Sequence, residues 1–274
     1  MSTSTQWQLA RDAAERYERI LVPAILGPAA VALVEYAGPR PGQAVLDVGC
    51  GTGAAARGAA ERVGRSGRVV GVDVNAGMID VAQSLPPVDG AEVAWSVQSA
   101  CALAFPDGAF DVVLCAQTLQ FVEDRQRALA EMHRVLVPGG ELAVSLWCNL
   151  DASPYFDALV RSVTRHIGAD TAAGLRAACG LSDPRAIRAL IEGAGFRRFE
   201  AVVEELDLPL PELAGFVSRH VGATPMAAGY RSATEAQQRA VVRDVVDELA
   251  RFRVQGEWRL PFRTHLAKAI KAGR

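Results

Sequence analysis

Cysteine is sparse here and unsuited to holding the chain together. The five residues, Cys50, Cys101, Cys115, Cys148 and Cys179, are an odd number and include no C-x-x-C pair. That argues against a disulfide framework or a zinc site and fits a reducing cytosol, hence a cytoplasmic protein. Each reads as a small buried hydrophobe. Histidine is scarcer still, with four in 274 residues, and no two are spaced as metal ligands on one helix face, so no metal is expected. A net charge of −2 supplies no global field for nucleic acid, and basic residues are not interleaved with stacking aromatics. The longest uncharged run, Ile20 to Val34, contains Pro23 and Pro28 and is short of the roughly 20 residues of a membrane span. No basic segment followed by an apolar stretch and a cleavage site stands at the N-terminus. Repeats and low-complexity tracts are also lacking.

What is present is apolar residues, half of the chain, enough for a large core. Residues 6–36 read as helical, with a break near Pro23 to Pro28. From Gln43 onward β and α signals alternate. Strands are expected at 44–48, 68–74, 92–97, 110–115 and 141–147, with helices between them at 53–63, 76–85 and 124–137. The Val-Val-Gly-Val run of the second strand is typical of a strand buried on both faces. Beyond Trp147 the pattern loosens. A helix is expected at about 183–194, opened by Pro184, and strands at about 199–208 and 258–266. Helical insertions are expected at about 150–180 and 211–252. The fold class is therefore α/β, a doubly wound, Rossmann-like, seven-stranded and mostly parallel sheet with added helical lid segments.

The run Val45-Leu-Asp-Val-Gly-Cys-Gly-Thr-Gly53 joins the first strand to its helix, and Asp73 ends the second strand. Glycines let a backbone approach a ligand where a Cβ would collide. A carboxylate at the next strand's tip can take both hydroxyls of a ribose. The spacing is G-x-G-x-G, not the G-x-G-x-x-G that holds a pyrophosphate. Asp47, ahead of the first glycine, would repel a diphosphate but suit an ammonium group. The ligand should therefore carry a cationic amine and a ribose but no phosphate, and S-adenosylmethionine meets that description.

On these residues, with Phe110-Asp111-Val112-Val113 and Arg134 to Gly140, the chain resembles the class I S-adenosylmethionine-dependent methyltransferases. It is most similar to the branch of ubiquinone and menaquinone C-methyltransferases and many bacterial small-molecule enzymes, strongly over about Val45 to Trp147. The resemblance implies an N-terminal helical lid over 1–36, a cofactor-binding core over 37–148, and further core elements with cap insertions over 149–274. It implies that Gly49, Cys50, Gly51 and Gly53 line the methionine part, with Asp47 near its amine, and that Asp73 binds the ribose. Val74 and Met78 would cover the adenine, and Ser99, Ala100 and Cys101 would border its amino edge. Cys115, Ala116 and Gln117 would approach the sulfonium, and Tyr17 would close over the methionine. The family usually has Asp where Ser99 stands, often Glu in place of Cys101, and often His in place of Gln120, so a base role for that histidine does not transfer.

Methyl transfer from a sulfonium needs alignment more than a catalytic side chain, and no base is evident. His166 and His220 are weak catalytic candidates, and Gln120, Trp147, Tyr155 and Phe156 are candidate substrate contacts. The basic stretch 251–274 is either a solvated face or an anion site. The expected function is methyl transfer to a small, partly apolar metabolite. The alternatives are a protein that uses S-adenosylmethionine without methyl transfer, or an RNA or protein methyltransferase. Substrate identity, acceptor atom and oligomeric state are not legible.

Overall fold

A computed structural model describes residues 11–273; the start of the expected N-terminal helix, before Arg11, lies outside them. Helix α1 spans Arg11–Ala37. The expected break at Pro23 to Pro28 is instead a π-helical turn, Val22–Leu26, inside one continuous helix. Pro28 has no N–H and its ring would crowd the carbonyl four residues back. Widening by one residue relieves this, and the Gly27 amide donates to the Val22 carbonyl. By length and composition α1 could cross a membrane. About a third of its apolar stretch is buried, with Leu21, Ile25 and Ala29 packed in the lid cluster and Ala30, Leu33 and Val34 against the helix at 54–63, while Val31 stays exposed.

The alternating core follows as β1 (Ala44–Val48), α2 (Ala54–Val63), β2 (Arg68–Asp73), α3 (Ala76–Ser84), β3 (Val93–Val97), β4 (Phe110–Ala116), α4 (Arg125–Val135) and β5 (Leu136–Trp147). Then come α5 (Pro154–His166), α6 (Ala169–Ala178), α7 (Pro184–Gly193), β6 (Phe196–Pro209), α8 (Leu213–Gly222), α9 (Ala227–Ser232), α10 (Glu235–Glu248), β7 (Arg253–Val254) and β8 (Glu257–Lys271). The main sheet runs β3-β2-β1-β4-β5-β8-β6, with the short β7 pairing only β8. The first five strands are parallel, and β8 is antiparallel to both β5 and β6. Strand order reverses between β1 and β4, the position where open α/β sheets form a crevice at their carboxyl edge.

Each face of the sheet is covered for a reason visible in the side chains. Ala55, Ala56, Ala59 and Ala60 make one side of α2 nearly smooth, so it beds closely on β1 and β2 beside Leu33 and Val34 of α1. On the other face Leu129 and Met132 of α4 and Ile187 and Ile191 of α7 meet Leu46, Val48, Phe110 and Phe196. Burial of a side chain such as Phe110 stabilises by about 1.5–3 kcal/mol. A separate cluster, centred on Tyr155, Phe156, Phe216 and Phe262, joins α5, α6, α8 and α10 into a helical cap.

Three expected boundaries move. The helix expected to reach residue 137 ends at Val135, and β5 begins at Leu136, with a register irregularity between Phe110 and Val112. The final strand continues to Lys271, because Ala267, Lys268 and Ile270 are paired on both sides and Ala269 with β5. The insertion at 150–180 divides into α5 and α6 at Gly168.

Candidate active site

The chain leaves β1 through Gly49-Cys50-Gly51-Thr52-Gly53 and enters α2. The Gly49 and Cys50 amides both donate to the Val72 carbonyl, at 2.8 and 3.0 Å, which fastens this loop to β2. A Cβ on Gly49 would lie 2.1 Å from Thr118, and one on Gly53 would lie 2.3 Å from the Trp95 ring. Trp95 reaches that far because Gly71, in the middle of β2, leaves room for it. Gly51 differs. Its backbone is left-handed, φ 55°, and the nearest atom to a Cβ there would be the Tyr17 hydroxyl at 3.8 Å. The outer two glycines are thus closed by protein, and the middle one faces open space.

Asp73, at the tip of β2, is held by two backbone amides. Its Oδ2 accepts from Gly51 at 2.9 Å and its Oδ1 from Asn75 at 2.8 Å. Burial pushes its carboxyl up, and these donors oppose the shift. Asn75 in turn caps α3 by accepting from the Gly77 amide. Asp47 lies beneath the loop, fully buried. Its Oδ2 accepts from the Ala56 amide at 2.9 Å, capping α2 from the strand below, since Gly53 has no side chain to do so. Its Oδ1 has no partner among the described residues, and burial raises its pKa to about 7.

Above the carboxyl edge lies a cavity of about 440 Å³. It gathers most of the residues singled out in the sequence. Gly49, Cys50, Gly51, Asp73, Val74 and Met78 line it on the β1–β2 side. Ser99, Ala100 and Cys101 form its rim, and Ala116 and Gln117 stand at the end of β4. Tyr17 closes it from α1, packed with Met78 as well. Asp47, Gly53 and Cys115 are not on its wall; they support the loop and β4 from behind. Half-exposed Val74 offers an apolar surface beside Asp73. The Ser99 hydroxyl accepts from the Cys101 amide at 3.2 Å, which shapes the rim.

Gln117 has a left-handed backbone, φ 50°, a conformation that costs a non-glycine residue of order 1–3 kcal/mol. It is held there by a relay. Gln120 donates to Gln117 Oε1, Gln117 donates to Thr264 Oγ1 at 2.9 Å, and Thr264 donates to the Leu146 carbonyl at 3.0 Å. Gln120, buried and on the cavity wall, keeps its Oε1 unpaired among the described residues.

The cap supplies the facing wall. Trp147, Phe156, Leu175, Ala178 and His220 line it, Trp147 and Phe156 packing edge to face at 5.3 Å. Tyr155 is behind this wall, its hydroxyl 3.1 Å from His220 Nδ1. Burial lowers the His220 pKa to about 3, so the ring is neutral. His166 lies elsewhere, 2.7 Å from Asp244 on the outer side of the cap. The basic C-terminal stretch is also remote. Arg259, Arg263 and Lys268 pair across strands with Asp207, Glu205 and Glu200 of β6, as a solvated face does. No lysine or arginine lines the cavity among the described residues, and none of their His, Cys, Asp and Glu groups could hold a metal.

Sequence reasoning missed Thr118, Trp95 and the contribution of Val22, Ile25 and Leu26 to the cavity. Gly71 within an apolar strand was the available signal for Trp95, since such a glycine often marks a close approach. Comparison with known proteins agrees with this geometry. Residues 46–144 match the methyltransferase domain family model. Ubiquinone/menaquinone biosynthesis C-methyltransferase UbiE of Hydrogenovibrio crunogenus is 41% identical over 113 residues, which are 40% of this chain and 44% of that protein. The match thus spans less than half of the relative. Among solved structures, phosphoethanolamine N-methyltransferase 2 of Haemonchus contortus, bound to phosphomonomethylethanolamine and S-adenosylhomocysteine, superposes with a TM-score of 0.61 at 20% identity, covering 98% of this chain and 59% of that one. The YcgJ protein of Bacillus subtilis has a TM-score of 0.57 at 18% identity, covering 89% and 99%. Residues 46–144 therefore match a methyltransferase domain, and the central part of the chain is similar to the ubiquinone and menaquinone C-methyltransferases.

Proposed function

We propose that the protein transfers a methyl group from S-adenosylmethionine to a small, partly apolar metabolite. The observation that carries this is the single cavity joining the open glycine Gly51 and the amide-held carboxylate of Asp73 to an aromatic cap. When bound, S-adenosylmethionine supplies a methyl group already activated by positive sulfur. In this reading Asp73 accepts the ribose hydroxyls, Val74 and Met78 flank the adenine, and Ser99 to Cys101 border its amino edge. Gly49 to Gly51 meet the methionine part under Tyr17. Asp47 acts through the loop, by capping α2, rather than by contact. The Gln117–Gln120 relay fixes the wall next to the reacting centre, and Trp147 and Phe156 seat the acceptor and exclude water.

Most of the rate gain then comes from alignment, which can supply roughly 7–11 kcal/mol in well-oriented reactions. His166, tied to Asp244 outside the cavity, has no part in this reading. The free thiols of all five cysteines support a reducing cytoplasm. Calorimetry with S-adenosylmethionine, S-adenosylhomocysteine and NADH tests the cofactor; preference for NADH overturns it. Tritiated-methyl transfer into an extract, split into small-molecule, RNA and protein fractions, tests the acceptor class. Label in the small-molecule fraction is the expected result. Tight cofactor binding without label in any fraction would leave a protein that uses the cofactor for something else.

A further inference from the structure

The cavity's cap wall carries a polar atom whose hydrogen-bonding sense can be worked out. Tyr155 is fully buried, and its hydroxyl has His220 Nδ1 as its partner, with no second one among the described residues. A buried hydroxyl that donates to nothing is costly. If Nδ1 carried the proton, it would donate to the tyrosine oxygen and leave the hydroxyl hydrogen unpaired. The satisfied arrangement has Tyr155 O–H donating to Nδ1. A neutral imidazole must then hold its own proton on Nε2. Nε2 has no protein partner among the described residues, and His220 is on the cavity wall beside Phe156 and Trp147. The same wall lacks lysine and arginine, while Asp73, Glu123 and Asp124 stand around the cavity. No side chain among the described residues of the wall supplies a counter-charge for an anionic acceptor.

We propose that His220, fixed by Tyr155 as its Nε2–H form, donates a hydrogen bond to a carbonyl-type oxygen of an uncharged, mostly aromatic or apolar substrate. Tyr155 is the positioning residue, acting through the ring. His220 orients the acceptor by its oxygen, as a neutral donor can without giving up its proton. This rests on the methyl-transfer reading for its purpose, but its geometry is testable without cofactor.

The first test is long-range 1H–15N spectroscopy of the ligand-free full chain, with His220 assigned by elimination using single substitutions at the other three histidines. The expected pattern is a neutral Nε2–H ring, partly lost in Tyr155→Phe. An Nδ1–H pattern in the wild-type protein overturns the proposal. The second test is calorimetry with 2-acetylnaphthalene, its oxygen-free counterpart 2-isopropenylnaphthalene, and 2-naphthoate. The ketone should bind about tenfold more tightly than the hydrocarbon, the scale of one hydrogen bond. This preference should vanish in His220→Leu and persist in part in His220→Gln. Equal binding of ketone and hydrocarbon, or tighter binding of the naphthoate, overturns it. Failure of S-adenosylmethionine to bind would instead remove the methyl-transfer reading and leave these two results standing.

Discussion

The Gly51 amide and the Asp73 carboxylate meet at 2.9 Å, so the turn after β1 is tied to the tip of β2 before any ligand arrives. The acidic group that would take a ribose also shapes the loop that would take the methionine. Asp73→Ala should weaken S-adenosylmethionine binding by about 2–3 kcal/mol, the scale of hydrogen bonds to a charged group. Asp73→Asn, which keeps the shape, should fall between. Calorimetry on both, with urea unfolding as the control, separates lost contact from lost fold; wild-type affinity in Asp73→Ala would remove it from the site.

Gly51 and Gly53 should respond differently to alanine. Gly53→Ala meets the Trp95 ring and should mainly cost stability, at least about 1 kcal/mol from the left-handed backbone and more from the displaced ring. Gly51→Ala carries the same left-handed backbone cost but meets no close atom, so it should lose less stability than Gly53→Ala and should cost cofactor affinity. Adding Trp95→Leu should recover part of the Gly53→Ala loss, and a thermal-unfolding double-mutant cycle would measure that coupling.

Tyr17 projects from α1 toward Gly51, and burial, with nearby Asp73, keeps its hydroxyl un-ionised. Tyr17→Ala should raise the dissociation constant of S-adenosylmethionine about tenfold, as expected for a partly buried ring lost from a closing wall. Tyr17→Phe should lose less. Stopped-flow binding should place most of the Tyr17→Ala loss in faster release.

Two buried groups give the ligand-free fold opposite pH dependences. Asp47 has its pKa raised from 3.8 to about 7, so the folded state holds the proton more tightly. Its contribution is greatest below the lower value and is lost as pH rises through about 7. His220 has its pKa lowered from 6.5 to about 3, so its contribution is present above 6.5 and is lost as pH falls through about 3. In the wild-type protein the two slopes partly cancel between pH 4 and 6.5. Relative to wild type, Asp47→Asn should gain stability between pH 4 and 8, and His220→Leu should gain it between pH 6.5 and 4. Each change should reach at most a few kcal/mol in urea titrations. A flat difference for either variant would show that the group is not buried as described.

The core was readable because its strands are apolar on both faces and its turns are marked by glycine and proline, as at Val45 to Gly53 and Pro106-Asp107-Gly108. Asp47 was harder. Its position in the motif suggested contact with a ligand amine, yet its carboxylate turns inward to cap α2 because the residue ahead of that helix is glycine. The end of β8 was hidden because Ala-Lys-Ala-Ile-Lys favours a helix in isolation, and pairing on both edges overrides that preference. Tyr155 and His220 are 65 residues apart, and no local pattern announces that they meet. The same holds for Gln117 and Thr264, which are joined by the sheet rather than by sequence.

The widened turn at Val22–Leu26 gives α1 two addresses at once. Downstream of it, Leu33 and Val34 sit against α2; upstream, Ala14 and Tyr17 sit against α3. Excising one residue, such as Ala24, would take away the extra length that admits Pro28 and swing the upstream half by about 100°. Tyr17 would then point away from Gly51 while the downstream half stayed seated. A single codon in a segment with no chemistry of its own therefore governs whether the chamber has a door.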